Sequence, residues 1–308
     1  MKQIELKGHS GCKIYLVIPD ENKPFVRKIS KNIQYNERLR RQCAKQKKYQ
    51  GKSACVPEVL NEDFKDGLYF FDMEYIRGIS LESLLQSCTI DKIEVIGDFL
   101  LNIVKEHMDS ASSEENGRYY IQHKCTAVCD NLHGLHENTN IKKAFNILCN
   151  HKWTQIQKSA SHGDLTLENI IYSSEGKFYL IDFLDTFYDT WIGDVSKILQ
   201  DLLVGWSFRY QFMNTDAVSE NTKVRVLLLK KKFIEGINRY ISSKKVWEDI
   251  YLYLLLDLLR IVPYIREKRI FEFVNKSIAA ITNNIESGGL YEHVNSTVCW
   301  PIYKISRS

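Results

Sequence analysis

The order of apolar and polar positions divides the chain into a β-rich front and a longer helical remainder. Short apolar runs between turn residues predict strands at 4–6, 13–18, 25–29, 56–60 and 68–76. Between the third and fourth of these runs, residues 33–49 change to helical spacing, with Tyr35, Leu39 and Cys43 four positions apart. The front of the chain is therefore predicted to be a small sheet crossed by one helix.

Helical patterns dominate after Gly78. Ser80 is a candidate N-cap for a helix that begins at Leu81, and longer helical patterns cover 91–109, 139–159 and the chain from Val195 onward. The polar segment 110–118 is expected to be a loop. The apolar runs 170–172 and 178–181, joined by a Gly-containing turn, interrupt the helical patterns as a hairpin. We therefore expect an α+β fold with two lobes, a small antiparallel sheet with one crossing helix (1–77) and a larger, mainly helical lobe (78–308).

Composition indicates a globular protein of the cytoplasm. The 308 residues are 44% hydrophobic and 26% charged, which is enough apolar material for a sizeable core. The segment Met1–Glu5 is not a signal peptide, so the eight cysteines are expected to be reduced thiols. The most apolar segment, 250–265, contains Asp257 and Arg260 and is too short to span a bilayer, so we expect a buried helix and no membrane insertion.

Charge is unevenly distributed. Residues 27–52 contain ten Lys and Arg and one acid, Glu37, whereas residues 182–201 contain five Asp and one base, Lys197. This separation suits an anionic cosubstrate on one side of a site and a divalent metal on the other, although a solvated helix face would explain most of the bases. A nucleic-acid-binding role would rest on the basic run 38–52 alone, and the net charge of +4 is too small to predict it.

The most informative stretch is His162-Gly-Asp164-x(4)-Asn169, followed thirteen residues later by Asp182. It places two carboxylates and one carboxamide on short turns between apolar runs. Oxygen side chains of this kind can hold Mg²⁺ and orient a hydroxyl, whereas any one Asp or Asn alone would be ordinary turn chemistry. The complete set indicates a catalytic site.

This motif and the order of elements around it resemble the aminoglycoside phosphotransferase and choline kinase group, the small-molecule branch of the protein-kinase-like fold. The resemblance is specific at 162–182 and weak before residue 30. It implies ATP and Mg²⁺ as cofactors, Asp164 as the base that accepts the hydroxyl proton, and Asn169 and Asp182 as Mg²⁺ ligands. His162 would have an architectural role.

The resemblance also assigns nucleotide contacts in the front lobe. Lys28, on the third strand, would contact the α- and β-phosphates and pair with an acid on the following helix, for which Glu37 is the candidate. The alternative for Glu37 is a surface pair with Arg41. Arg27 should point to the opposite face of the sheet.

Two further segments would complete the ATP site. Gly8, Ser10 and Gly11 form a sparse glycine turn whose backbone N–H groups would approach the phosphates. The segment from Glu74 to Ile76 would be the adenine-contacting hinge, read through its backbone.

The acceptor is predicted to be a small molecule. Only eleven residues separate Asp182 from Asp194, without Ala-Pro-Glu, and Gly163 follows the catalytic His where protein kinases have Arg. Asp194 is expected to cap the next helix and to brace the catalytic turn.

The leading hypothesis is therefore phosphoryl transfer from ATP to a hydroxyl of a sugar, amino sugar, choline-like amino alcohol or polyol. Asp185 and Asp189 could face a cationic or polyol acceptor or lie in a solvated turn. Other acceptor candidates follow the catalytic turns: Trp191, Trp206, Arg209 and Tyr210. The alternative is a catalytically silent kinase-like protein that binds a nucleotide or a partner.

Overall fold

A five-stranded antiparallel sheet forms the front of the protein in the computed structural model, which describes residues 1–6, 12–132, 134, 138–213 and 218–288. Its strands are β1 (Lys2–Leu6), β2 (Lys13–Ile18), β3 (Phe25–Ile29), β4 (Val59–Lys65) and β5 (Leu68–Glu74), in the spatial order β1-β2-β3-β5-β4. The predicted strands are thus confirmed except for β4, which begins at Val59 and continues through polar residues. All of β4 beyond Val59 is exposed at the sheet edge, so it lacks the apolar alternation that marks buried strands.

The predicted crossing helix is α1 (Asn36–Lys48), preceded by a 3₁₀ turn that Asn32 caps. Its buried side is formed by Leu39, Gln42, Cys43 and Gln46. Leu39 and Cys43 pack on β3 and β5 residues such as Phe71 and Met73, which form a small core separate from the main one. This packing fixes which face of α1 looks towards the sheet.

The remainder is mainly helical. Its helices are α2 (Leu81–Leu85), α3 (Ile90–Asp109), α4 (Arg118–Asn131), α5 (Thr139–Asn150), α6 (Trp191–Leu199), α7 (Arg209–Met213), α8 (Glu220–Ile237), α9 (Lys244–Ile261) and α10 (Lys268–Glu286). Two small sheets accompany them, formed by β6 (Gly78–Ser80), β9 (Ile170–Ser173) and β10 (Phe178–Leu180), and by β7 (Ser112–Asn116) and β8 (Gln157–Lys158). The α+β class is as predicted, with the five-stranded sheet in the front of the chain and mainly helices after Gly78.

Three local expectations are resolved by hydrogen bonds. Ser80 caps α2, since its hydroxyl accepts from the Ser83 N–H at 3.2 Å. The helix predicted over 139–159 ends at Asn150 because His151 and the Thr154 N–H bind the buried Asp249 carboxylate instead of continuing the helix. The loop predicted at 110–118 contains β7, which pairs with β8.

The apolar segment at 250–265 is buried as predicted as far as Leu259, whereas Tyr264, in the 3₁₀ turn that follows α9, is 82% exposed. Residues 250–259 of α9 are all buried, including Asp257 at 1% exposure. None of the helices in the described ranges is both long enough and apolar enough to cross a membrane. The cysteines in those ranges are free thiols.

Candidate active site

The predicted catalytic turn, residues 162–169, is held in place by the buried side chain of His162, which has no exposed surface. It is called the catalytic turn below. Its Nε2 lies 2.8 Å from the Ile181 carbonyl oxygen, and its Nδ1 accepts the Asp164 N–H at 3.2 Å. Burial is the main cause that lowers the pKa of His162, so the ring is neutral, with its proton on Nε2. His162 therefore links the turn to the strand end that precedes Asp182, the architectural role that was predicted.

Gly163 is required by the shape of the turn. Its φ of +90° lies in the left-handed region, and an added Cβ would lie 2.5 Å from Thr186 Cγ2 and 3.0 Å from the Leu184 carbonyl oxygen. No side chain, arginine included, fits here without displacing the segment after Asp182. The glycine thus allows the two catalytic segments to approach each other.

Asp194 braces the turn, as expected, but it is not a helix cap. Thr190 caps α6, whereas Asp194 lies in its first turn and accepts the N–H groups of His162 and Gly163, both at 2.8 Å. Burial alone would raise the pKa of Asp194, but contacts with His107, His162 and the Gly163 N–H outweigh it and lower the pKa. Asp194 is therefore a buried anion that fixes the backbone of the catalytic turn.

A second layer connects this anion to α1. His107 Nδ1 lies 2.9 Å from Asp194 Oδ2, without the alignment of a hydrogen bond. His107 Nε2 lies 3.1 Å from the hydroxyl of Tyr49, the residue that ends α1. The position of the crossing helix is thus coupled to the catalytic turn through a Tyr–His–Asp chain.

Asp164 presents an oriented and accessible carboxylate. Asn169 Nδ2 donates to Asp164 Oδ2 at 3.0 Å and to its backbone carbonyl at 2.9 Å, while the side chain keeps 26% of its surface exposed. Lys197 Nζ lies 3.2 Å from Asp164 Oδ1. Burial lowers the pKa of Lys197, but the carboxylates of Asp257 and Asp164 outweigh this and raise it, so the lysine stays charged beside Asp164.

Asn169 and Asp182 fit the role of metal ligands. Because the Asn169 amide nitrogen faces Asp164, its Oδ1 is the atom left for a cation. Asp182 adopts a φ of +62°, an unusual conformation for a residue other than glycine and one typical of functional sites. The two side chains supply hard oxygen donors, and the backbone of Asn169 accepts the Ile181 N–H at 3.0 Å, directly before Asp182.

Lys28, on β3, reaches Asp182 after the second strand of the hairpin formed by β9 and β10. The ammonium, 2% exposed, forms an ion pair with Asp182 Oδ1 and lies 3.5 Å from Gln42 Oε1. Burial lowers the pKa of Lys28, but the charge of Asp182 outweighs burial and raises it. Arg27 points to the other face of the sheet, as predicted, and pairs with Asp72 on β5 at 2.6 Å.

The predicted Lys28–Glu37 pair is wrong. Glu37 lies on the exposed side of α1, 58% accessible, and pairs with Arg40 at 3.2 Å rather than with Lys28 or Arg41. The helix position that faces Lys28 belongs to Gln42, which is 2% exposed. The anionic partner of Lys28 is therefore Asp182, and the helix contributes a neutral amide.

The other predicted nucleotide contacts belong to two segments, 8–11 and 74–76. Gly8, Ser10 and Gly11 fall outside the described residues. Glu74 ends β5, and its N–H donates to the Glu58 carbonyl at 2.9 Å. Ile76, half-buried, lies in the connection from β5 to β6, where the sheet lobe meets the helical lobe.

The acids after Asp182 bind α1 and do not lie in a solvated turn. Arg41 Nε donates to Asp185 at 2.9 Å, and Lys45 Nζ contacts Asp189 at 2.5 Å and the Leu184 carbonyl at 3.0 Å. The basic and acidic tracts of the sequence therefore neutralise each other within the protein. We call these contacts the α1 clamp.

Of the downstream aromatic and cationic candidates, Trp191 and Arg209 are buried, Trp206 is half-buried and Tyr210 is exposed. Trp191 is 9% exposed and Arg209 is 2% exposed. Arg209 pairs with Glu168 at 3.1 Å and lies over the ring of Trp206 at 4.2 Å and of Tyr210 at 4.8 Å. Arg209 thus fastens the catalytic turn through Glu168 and is occupied by that contact.

Several residues at the site were missed from the sequence. Gln42 could have been found from the burial spacing of α1, since it shares a face with Leu39, Cys43 and Gln46. Lys197 and the pair Tyr49–His107 carry no local signal, because each reaches the turn from a different helix or helix end.

Comparison with solved structures identifies the fold. No family model matches the chain, and no curated protein matches its sequence. Aminoglycoside phosphotransferase APH(4)-Ia, in a ternary complex with AMP-PNP and hygromycin B, matches with a TM-score of 0.59 and 12% identity over 91% of this chain and 93% of that one. APH(2″)-IIa in a complex with streptomycin and ATP matches with a TM-score of 0.51 and 15% identity, over 92% and 91%.

Choline kinase LicA from Streptococcus pneumoniae matches with a TM-score of 0.50 and 14% identity, over 95% of this chain and 94% of that one. The chain therefore has the two-lobed, protein-kinase-like fold of small-molecule phosphotransferases. The predicted resemblance to the aminoglycoside phosphotransferase and choline kinase group is confirmed at the level of the fold.

Proposed function

We propose that this protein is an ATP-dependent phosphotransferase that moves the γ-phosphate to a hydroxyl of a small molecule. The observation that carries the proposal is that Lys28 reaches Asp182, 154 positions away in the sequence, while Asn169 bonds both Asp164 and Ile181, the residue before Asp182. A fold alone can host many functions, whereas this set matches the needs of phosphoryl transfer.

Asp164 is the proposed base. Its carboxylate is held by Asn169 and Lys197 and remains accessible, so an acceptor hydroxyl can donate to it and transfer its proton as the bond to phosphorus forms. Asn169 Oδ1 and Asp182 are the proposed ligands for Mg²⁺. When bound, this ion would neutralise charge on the β- and γ-phosphates.

Lys28 is the proposed contact for the α- and β-phosphates. Its ammonium is charged and buried, and its present partner Asp182 is one of the proposed metal ligands. In the same proposal Gly8, Ser10 and Gly11 approach the phosphates, and the backbone from Glu74 to Ile76 contacts adenine. Glu37 has no part in it, since it faces solvent.

A small acceptor suits the segment between Asp182 and Asp194. This segment is short, and its acids are held against α1 by Arg41 and Lys45, so it provides no open platform for an extended peptide. Sugars, amino sugars, amino alcohols and polyols are the proposed acceptor classes. A cytoplasmic location, where ATP and Mg²⁺ are supplied, belongs to the same proposal.

The test is acceptor-dependent release of ADP by the purified protein with ATP and Mg²⁺, over a panel of these acceptor classes. Asp164→Asn should reduce turnover by about 10²–10⁴-fold, the usual contribution of a general base, with unchanged ATP binding. Asp109→Asn is the matched control, because that carboxylate is 61% exposed and pairs only within α3.

Asp182→Ala should abolish Mg²⁺-dependent turnover while the fold is retained. Near-normal activity of this variant would contradict the metal assignment. ATP binding without turnover on any acceptor would instead identify a catalytically silent nucleotide-binding protein.

A further inference from the structure

A small polar cleft opens directly beside the proposed base. Gly163 and Thr186 line one side of it, and Tyr253, Asp257 and Arg260 of α9 line the other. Lys197 connects the cleft to the base, since its Nζ lies 3.2 Å from Asp164 Oδ1 and 3.9 Å from Asp257 Oδ1. The enclosed part of the cleft is about 10 Å³, which leaves room for one small group of an acceptor next to the catalytic turn, with the rest of the acceptor outside.

The acids around the cleft are already neutralised. Asp257 is shared by Lys197 and by Arg260, whose Nη1 lies 3.0 Å from Asp257 Oδ1. Asp189, beneath Thr186, is bonded by Lys45. A cationic acceptor would have to break one of these pairs, so the cleft offers little electrostatic attraction for an ammonium group.

Positive charge, by contrast, is in surplus at the outer edge. Lys124 Nζ of α4 lies 5.8 Å from the centre of the Phe187 ring, and the guanidinium of Arg260 lies 5.4 Å from the same centre. Within the described ranges no carboxylate pairs with Lys124. Burial, together with the charges of Arg260 and Arg38, lowers the pKa of Lys124. These cations repel one another, and an anion between them would relieve the repulsion.

Aromatic rings complete this edge. Phe187, in the segment that follows Asp182, stacks on Tyr253 with 6.0 Å between ring centres, and Tyr188 stacks on Tyr120 with 5.4 Å between ring centres. Flat apolar faces beside fixed cations are suited to a carbon skeleton that bears a negative group.

We propose that the acceptor is a hydroxyl compound with an anionic group, a carboxylate or a phosphate, which Lys124 and Arg260 bind while the hydroxyl lies at Asp164. This inference rests on the proposed phosphotransferase function and specifies its acceptor. It separates this protein from one that selects cationic amino sugars or choline-like compounds.

Binding to the turnover-deficient Asp164→Asn protein tests the inference without requiring transfer. Calorimetry would compare compounds that share a skeleton and differ in charge: glucose, glucosamine, glucuronate and glucose 6-phosphate, then glycerol and glycerol 3-phosphate. In at least one series the anionic member should bind about tenfold or more tighter than its neutral and ammonium counterparts. Glucuronate and glucose 6-phosphate distinguish a carboxylate site from a phosphate site.

Variants identify the site responsible. Lys124→Gln should remove most of this preference, and Lys124→Arg should retain it. Lys231→Gln is the matched control, since that lysine is 70% exposed on α8. In the active protein, Lys124→Gln should raise KM for the anionic acceptor about tenfold, with little change in kcat or in KM for ATP.

The inference is overturned if no anionic member binds, if neutral or ammonium members bind equally well, or if the preference survives Lys124→Gln. Turnover of a neutral or cationic acceptor that needs Asp164 would refute it and leave the proposed function standing. Lys124-dependent anion binding without any phosphoryl transfer would support the anion site and contradict the proposed phosphotransferase function.

Discussion

The buried anion Asp194 provides a test of how the catalytic turn is held, independent of any substrate. In Asp194→Asn one carboxylate oxygen becomes an NH₂ group that faces the N–H of His162 or Gly163, both now bonded at 2.8 Å. The loss of one charge-assisted hydrogen bond costs about 1.5–3 kcal/mol. The new NH₂ group also faces a backbone N–H donor that has no acceptor, which costs about 1–3 kcal/mol. Relief from burying a charge offsets part of this, so we expect a net loss of about 3 kcal/mol.

Urea unfolding followed by tryptophan fluorescence measures this loss as a shift in the transition midpoint. Asp185→Asn is the matched control: it breaks a pair with Arg41 whose side chains are 26% and 57% exposed, so it should cost less than about 1 kcal/mol. If Asp194→Asn costs no more than Asp185→Asn, the turn is not held by this anion and the reasoning fails.

Three further predictions concern the same site. Gly163→Ala should lower both turnover and stability, the latter by about 1–3 kcal/mol. Gly176→Ala has a similar φ of +80°, but its Cβ would meet only Tyr172 Oη at 3.4 Å, so the difference between the variants in thermal unfolding isolates the clash with Thr186. Lys28→Met should raise KM for ATP and reduce turnover about 10²-fold, whereas the exposed Lys31→Met should not; equal effects in steady-state assays would remove Lys28 from the phosphate site. Burial raises the pKa of Asp201 to about 7, so the folded protein retains a proton there that the unfolded chain releases above about pH 4. The contribution of Asp201 to the free energy of unfolding should therefore fall as pH rises from about 4 to about 7, and over the same range the stability of Asp201→Asn should rise relative to that of the unmodified protein. A difference that does not change with pH in urea unfolding would show that Asp201 is ionised in the fold.

The residues of the proposed catalytic turn could be picked out from the sequence because they lie close together along the chain. His162, Asp164, Asn169 and Asp182 occupy two short segments, and the hairpin of β9 and β10 sets the spacing from Asn169 to Asp182. The α+β class follows from equally local patterns, in which apolar alternation switches to helical spacing after residue 78.

The partners of these residues are harder to predict because they come from distant elements. The search for an acid near Lys28 selected Glu37, but the face of α1 is set by packing against β5, which turns Gln42 inward and Glu37 outward. Lys197 reaches Asp164 from α6, and no spacing relates the two. The edge strand β4 was misplaced for a different reason, since it is paired on one side only and needs no apolar face there.

The α1 clamp has a consequence for protein engineering. Residues 1–77 supply Arg41 and Lys45, while Asp185 and Asp189 belong to the segment that follows Asp182, the proposed metal ligand. The two lobes are therefore not interchangeable modules. A chimera that takes its front lobe from a relative without these two bases would leave both carboxylates without their charged partners, and exchanging the acids together with the front lobe would avoid this.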